Sequence, residues 1–486
     1  MRSPAVWNPA TLLVAILFGV LNAILWITKS DSSDLSTLWT AGELVRSGDT
    51  ARLYDFSAYD GRPFLYLPFL GALMAPITAV MSFGVAEFLL AAAQGFALVA
   101  LVASAYTLWF RHAMPLMWLI PLSTLLWFSA AFQVAGAHGQ INPLALAAGI
   151  WALTAARDYP VRAGVILGVS SSFTLTPLVL VLPLLLWPST RLSAAWASVS
   201  AGAMVVLSSL LTGLASVREW VSALRQVIGG ALVDRENHAL SSIVMGHREP
   251  LPSGTTAHIL TEVPLWVNLL PALMALLLAA ATCWAAWVHS RYALEILLVG
   301  WLCAAYLASP LLWSHSLLVL LLPVMGILAM ARTQLHQDVL WTAVVFTAPL
   351  LFWPLASTTN FDGHGWASPW GELLAAVLIP VIFLAGAVFS GASSSVPPSS
   401  RLGGMGREAQ SAPRPSAEAF DLHEWYRSNY RRSRDLLQHL PRPQRPEPYV
   451  GRHSAARRSR DTASRTQDSY ARDSSTPEEQ PSTEQE

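Results

Sequence analysis

Charge is what this chain has least of. Of 486 residues only 12% are Asp, Glu, Lys or Arg, Lys29 is the only lysine, and there are 2 cysteines. Each shortage excludes something. Soluble domains carry about a quarter charged residues spread over their surfaces, so most of this chain is not a soluble domain, and no soluble catalytic domain is expected. The formal net charge of +0 by itself says little, and no nucleic-acid partner is expected. Cys283 and Cys303 both fall within apolar runs, so they read as two core thiols and not as a disulfide. The use of arginine in place of lysine, beside abundant alanine, fits a high-GC bacterial genome.

Apolar residues are what the chain does have, at 53%, and they come in runs. Charges are nearly absent between Val14 and Thr28 and near 86–110, 115–133, 192–213, 264–288, 292–309, 316–331, 336–356 and 372–390. The expected fold class is an all-α polytopic membrane protein, a bundle of about ten to twelve transmembrane helices of about 20 residues each. Residues 1–391 form this membrane domain, and 392–486, rich in Arg, Ser, Pro and Glu, form a tail expected to stay disordered. Within the tail, Phe420 to Leu440 could form a helix at the membrane surface. Arg2 followed by an apolar stretch with no small-residue cleavage site predicts an uncleaved signal anchor.

Orientation follows from short basic connections, which stay in the cytoplasm. Arg111-His112, Arg157 to Arg162, Arg191, His289 to Arg291 and Arg332 form a consistent inner set. Residues 29–65, 134–141, 214–262, 308–314 and 357–369 then face outside, and the tail is cytoplasmic. Two stretches break simple alternation, and both contain proline. Residues 163–187 begin and end inside, which predicts two half-helices meeting near Thr174-Leu175-Thr176-Pro177; at 64–82, Pro68 and Pro76 predict a broken or re-entrant element.

Polar side chains at the outer ends of apolar helices are candidates for a site, because they are costly there unless they face protein or water. They are Asp31 and Asp34 before a predicted short helix from Leu35 to Val45, then His138, Gln140 and Asn142, then Arg235, Glu236, Asn237 and His238, and finally Trp313 and His315. Asp34 also reads as a helix cap. Trp39, Tyr54, Phe64 and Tyr66 could stack on sugar rings, although aromatic residues collect at membrane interfaces in any case. No carboxylates or histidines stand at clear metal-ligand spacing, Asp362-Gly363-His364 being a weak alternative, and neither metal nor cofactor is expected.

The ordered set Asp34-Leu35, Gly48, Leu53-Tyr54, Phe64-Leu65-Tyr66-Leu67-Pro68, Pro76, Gly139-Gln140-Ile141-Asn142, Gly164 through Gly168 to Thr176-Pro177, and Ser309-Pro310-Leu311-Leu312-Trp313-Ser314-His315 resembles glycosyltransferase family 87. These are GT-C type membrane enzymes that use polyprenyl-phosphate-mannose. The resemblance implies a GT-C-like bundle and transfer of a sugar, most often mannose, from a polyprenyl-phosphate-linked donor to a lipid or glycan acceptor at the outer face of a bacterial plasma membrane. It matches Asp34 to the acidic residue that GT-C enzymes use as general base, with inversion at the sugar carbon. Tyr66, His138, Gln140, Asn142, Asn237, His238, Trp313 and His315 become candidate substrate-binding residues, and Arg46 and Arg62 candidate phosphate-binding residues. The chain departs from the family pattern at Thr174, where a lysine is usual, at Leu67 within Tyr-Pro-Pro, and at His238-Ala239 within Asn-Gln-Ser. Two other readings fit broken membrane helices: a lipid or small-molecule transporter or flippase, and a family member without catalysis that serves as a partner.

Overall fold

The computed structural model describes residues 6–26, 32–59, 63–234, 236–249, 257–289, 291–331, 341 and 367–394. The chain divides into two units, Met1–Gly403 and Gly404–Glu486, and every described residue belongs to the first. Arg62, most of the expected span at 336–356, the loop with Asp362 and His364, and the tail with its Phe420 to Leu440 patch lie outside the described residues.

The described chain is almost wholly helical. In order it forms α1 (Pro9–Trp26), α2 (Ser33–Ser47), α3 (Pro68–Val80), α4 (Phe83–Phe110), α5 (Leu116–Trp127), α6 (Ala130–His138), α7 (Asn142–Ala155), α8 (Pro160–Ser170), α9 (Val181–Leu186), α10 (Arg191–Thr212) and α11 (Leu214–Gly229). Then follow β1 (Ala231–Asp234), α12 (Leu240–Arg248), β2 (Ala257–Leu260), α13 (Leu265–Val288), α14 (Ala293–Ala308), α15 (Leu321–Ala331) and α16 (Ala367–Ser394). Strands β1 and β2 pair antiparallel with Ala231 opposite Leu260. This two-stranded ribbon was not expected from the sequence.

Six helical stretches among the described residues are long and apolar enough to cross a membrane: Pro9–Trp26, Phe83–Phe110, Pro188–Thr212, Leu265–Val288, Ser314–Ala331 and Gly371–Ser390. The pair α5 and α6, bent by 64°, passes the same test of length and composition only when taken together, as a broken span or a re-entrant loop. Five shorter apolar helices accompany them. The protein is a multi-pass membrane protein.

Two breaks shape the bundle, and a third that the sequence suggested is absent. At 160–186 the two predicted half-helices are present, α8 and a 3-10 turn (Thr176–Leu180) leading into α9, with Thr174 in the link. At 115–141 the expectation of one straight span and an outer loop is corrected. The chain bends after Trp127, the Ser129 hydroxyl caps the backbone N–H of Phe132, and α6 carries the helix on to His138. At 68–80 the expected interruption at Pro76 is also corrected: α3 starts at Pro68 and runs through Pro76. Its 13 residues reach only about 20 Å at 1.5 Å per residue, too little to cross.

Small residues let the helices approach closely. A Cβ on Gly164 or Gly168 of α8 would run into the α10 backbone at Ser193 and Ala197, the small-xxx-small packing that replaces hydrophobic driving force in lipid. Buried amides add hydrogen bonds: Asn22 of α1 donates to the Ala91 carbonyl of α4 (2.8 Å) and accepts from Trp127 Nε1 (2.9 Å).

At one end of α4, α7 and α14 sits a charged staple. Glu295, with 2% of its side chain exposed, meets Arg111 and, at 3.5 Å, Arg157. The guanidinium groups are 46% and 37% exposed. That asymmetry sets a sign. Changing Arg111 and Arg157 together to Gln leaves a buried carboxylate alone, at a cost of about 3–5 kcal/mol. Glu295→Gln leaves two arginines that reach water and costs less. Thermal unfolding in detergent should therefore show a larger drop in midpoint for the double arginine variant than for Glu295→Gln; the reverse order would remove the staple reading.

Candidate active site

The start of α2 is tied down on three sides. Ser32, just before the helix, adopts a left-handed conformation (φ 45) that only strong local restraint holds in a non-glycine residue. Its N–H donates to the Ala137 carbonyl at the end of α6 (3.0 Å), and its hydroxyl donates to Glu87 of α4. Ser33 Oγ lies 3.0 Å from His138 Nδ1. Ser32 occupies the capping position, so the cap reading of Asp34 is corrected: Asp34 lies within the first turn, half-buried, where the positive end of the helix dipole favours a carboxylate.

The other half of the site depends on α4. Gln94, fully buried in the apolar span, donates through Nε2 to the carbonyls of Ala135 (2.9 Å) and Gln140 (2.7 Å). The Ala135 carbonyl also accepts the Gln140 N–H in the cap of α6, so Gln94 fastens the turn from Ala135 to Gln140. Gly139 follows His138 in the left-handed conformation (φ 64), and a Cβ there would press on Leu35 Cβ, so glycine lets the α6 end pack on the α2 start. Gln140 is buried, and α7 restarts at once with Asn142 and Pro143.

A second segment comes in from the far part of the chain. The Asn237 amide donates to the carbonyls of Leu232 (2.9 Å) and Pro310 (3.0 Å) and accepts from the N–H groups of Leu312 (2.9 Å) and Ala239 (3.2 Å). All of its hydrogen-bonding capacity is used within the chain, which makes Asn237 a clamp and not a group offered to a ligand. The clamp pairs Asn237 with Trp313 in an isolated bridge, reinforced by the His238 N–H to the Leu312 carbonyl at 2.7 Å.

These ties bring the predicted residues together. His138 Nε2 lies 2.7 Å from Glu236 Oε1. The Asn142 amide nitrogen lies 2.5 Å from His315 Nε2, with the Trp313 ring stacked at 6.4 Å on His315. Next to His315, Ser314 Oγ lies 2.9 Å from His238 Nε2, and Glu372 Oε2 lies 2.9 Å from the same nitrogen. Asp34, His138, Asn142, Asn237, His238, Trp313 and His315 thus form one neighbourhood. Gln140 joins it through its carbonyl.

Two candidates stand apart. Arg46 is exposed in the last turn of α2, about 18 Å along the helix from Asp34. Tyr66 belongs to an aromatic cluster with Tyr54, Tyr59 and Phe64 that packs on Leu38, one turn along α2 from Asp34. Burial pushes the phenols of Tyr54 and Tyr59 well above their ordinary pKa, with Tyr59 and Glu219 adding to the effect on Tyr54 and Asp55 to that on Tyr59. Both therefore act as donors, to the carbonyls of Tyr66 and Leu53 at 2.7 Å.

Sequence reasoning named Glu236 among the polar candidates but passed over Ser33, Gln94, Ser314 and Glu372 as site residues. Ser33 and Ser314 lay beside quoted residues, but Glu372 was hidden at the start of an apolar run. A single carboxylate in such a run is itself a signal, because ionisable residues in membrane helices almost always face the bundle interior. Among the described residues no three His, Cys, Asp or Glu side chains group to hold a metal ion.

Two apolar grooves flank the bundle. One, of about 540 Å³, lies among α13, α14 and α16 with Val377 and Val381 on its wall; the other, of about 570 Å³, lies among α1, α4 and α7 with Ala147 and Trp151. At about 100° per residue, Val381 points away from Glu372 and Trp151 away from Asn142. The site and the grooves occupy opposite faces of the same helices.

Gln94→Leu should orphan the Gln140 carbonyl at about 1–3 kcal/mol and release the His138 turn. A thermal midpoint in detergent unchanged from wild type would show that Gln94 does not hold it.

No curated protein and no solved structure matches the chain. The model of glycosyltransferase family 87 matches residues 64–310, which include His138, Gln140, Asn142, Asn237 and His238 and lie between Asp34 on one side and His315 on the other. With half of its length matched, the chain belongs to glycosyltransferase family 87.

Proposed function

We propose that this family member transfers a sugar, mannose by resemblance, from a polyprenyl-phosphate-linked donor to a lipid or glycan acceptor at the outer face of a bacterial plasma membrane. The tail from residue 392 lies in the cytoplasm in this reading. The observation that carries it is the position of Asp34, half-buried at a helix start and one residue from the Ser33 contact with His138.

The chemistry assigns each group a task. An acceptor hydroxyl is a poor nucleophile; Asp34 within hydrogen-bond reach accepts its proton as the oxygen attacks the sugar carbon. Holding the acceptor and donor in line supplies much of the acceleration. His138, placed between Ser33 and Glu236, and the Asn142–His315 pair orient polar groups of the substrates, and the Trp313 ring offers a stacking face for the sugar. Attack opposite the leaving phosphate inverts the sugar carbon. Bonds to the departing oxygens strengthen as charge develops on them, which lowers the barrier and not only the binding energy.

Membranes containing wild type or Asp34→Asn at matched expression, given radiolabelled polyprenyl-phosphate sugars, provide the test. The wild type should transfer label to lipid or glycan, and the variant should lose about a hundredfold or more. Turnover of Asp34→Asn near the wild-type rate would remove Asp34 as the base.

A further inference from the structure

We propose that His238, gripped at Nε2 by Glu372 and Ser314, is the residue whose Nδ1 binds the lipid phosphate released by the transfer. This rests on the transferase reading above and assigns its leaving group a seat.

The three side chains are built into the protein. His238 is 4% exposed, Ser314 4% and Glu372 3%. Both partners meet one ring nitrogen: Ser314 Oγ and Glu372 Oε2 each lie 2.9 Å from Nε2, and the Ser314 hydroxyl reaches Glu372 Oε1 at 3.2 Å. The trio is therefore no nucleophilic triad, in which the hydroxyl and the carboxylate must address opposite nitrogens of the imidazole. What it leaves over is Nδ1, buried and without a hydrogen-bond partner among the described residues. A buried polar nitrogen with nothing to bond is costly, and such a group implies a ligand or water that the chain itself does not supply.

The surroundings favour an anion as that ligand. Helix α12 begins two residues after His238, and α7 begins at Asn142, whose amide meets His315 next to Ser314; a helix start favours a phosphate. With Nε2 turned to Ser314 and Glu372, Nδ1 is the ring position left to face the phosphate. The other charged and titratable groups nearby are Asp234 and Glu236 on the same segment, His138 against Glu236, and His315 next to Ser314.

In the transfer step a lone pair of the acceptor oxygen forms the new bond to the sugar carbon. The bond from that carbon to the phosphate oxygen breaks, and its electron pair stays on the phosphate. The acceptor proton goes to Asp34. The donor phosphodiester carries one negative charge and the departing monoester gains a second, which Nδ1 of His238 meets by a hydrogen bond.

Binding to purified full-length protein in detergent separates this from the transferase claim. The probes are farnesyl phosphate, farnesol and inorganic phosphate. The wild type should prefer farnesyl phosphate to farnesol, His238→Gln and Glu372→Gln should each weaken farnesyl phosphate about tenfold, Glu372→Asp should recover most of that loss, and farnesol should be unaffected throughout. Ser314→Ala, a smaller change, should weaken farnesyl phosphate about threefold if the glutamate variant does not fold. Equal binding of farnesol and farnesyl phosphate by the wild type overturns the proposal without any variant. So does farnesyl phosphate binding within twofold of wild type in both His238→Gln and Glu372→Gln, which would leave Nδ1 to water. Displacement by inorganic phosphate at equal concentration would overturn a lipid as the source of the phosphate. Wild type that shows the expected binding pattern but transfers no sugar counts against the transferase reading and leaves this seat standing.

Discussion

A helix that breaks inside a membrane frees backbone carbonyls and N–H groups where no water can bond them, and the chain must satisfy them itself. Much of this protein's architecture is an answer to that demand. Gln94 answers for the end of α6, and Asn237 for the turn at 310–312. Each amide joins segments distant in sequence because each accepts or donates more than one bond. The neighbourhood of Asp34, His138 and His315 exists because these two side chains pin the irregular backbone that carries it.

Charge is handled by the same economy of place. Glu295 and its arginines sit at the end of α14 where the helix begins, and Ser309 and the turn to His315 lie at the other, some 24 Å away along 16 residues. Helix α7 runs between the same two regions, from Asn142 to the turn that holds Arg157. The ionisable groups are thus confined to the helix ends, and the long apolar stretch between them isolates one set from the other. Within the site each histidine has a carboxylate or amide neighbour, which fixes ring orientation.

Much of this was legible in the residues. The spans showed because hydrocarbon imposes a length and a composition that no soluble helix matches over so many runs. The half-helices at 160–186 showed because proline at 177 follows polar residues in an apolar run. The bend after Trp127 did not show, since Phe128-Ser129 carries neither glycine nor proline, and only the Ser129 cap marks a new start. Strands β1 and β2 are too short for a period to register. Arg46 looked close to Asp34 on paper, but a helix converts twelve residues into distance. Glu372 escaped because hydropathy averages over a window and so dilutes a single carboxylate.

Glu372 lies in the last described helix, whereas Asp34 lies in the second. Membrane chains are delivered to the bilayer in order of synthesis, so His238 and Ser314 enter well before the carboxylate that meets them. Until α16 arrives His238 lacks its carboxylate neighbour. Insertion of α16 therefore completes this part of the site, and a chain cut short after the family-matched region holds most of the named side chains without it.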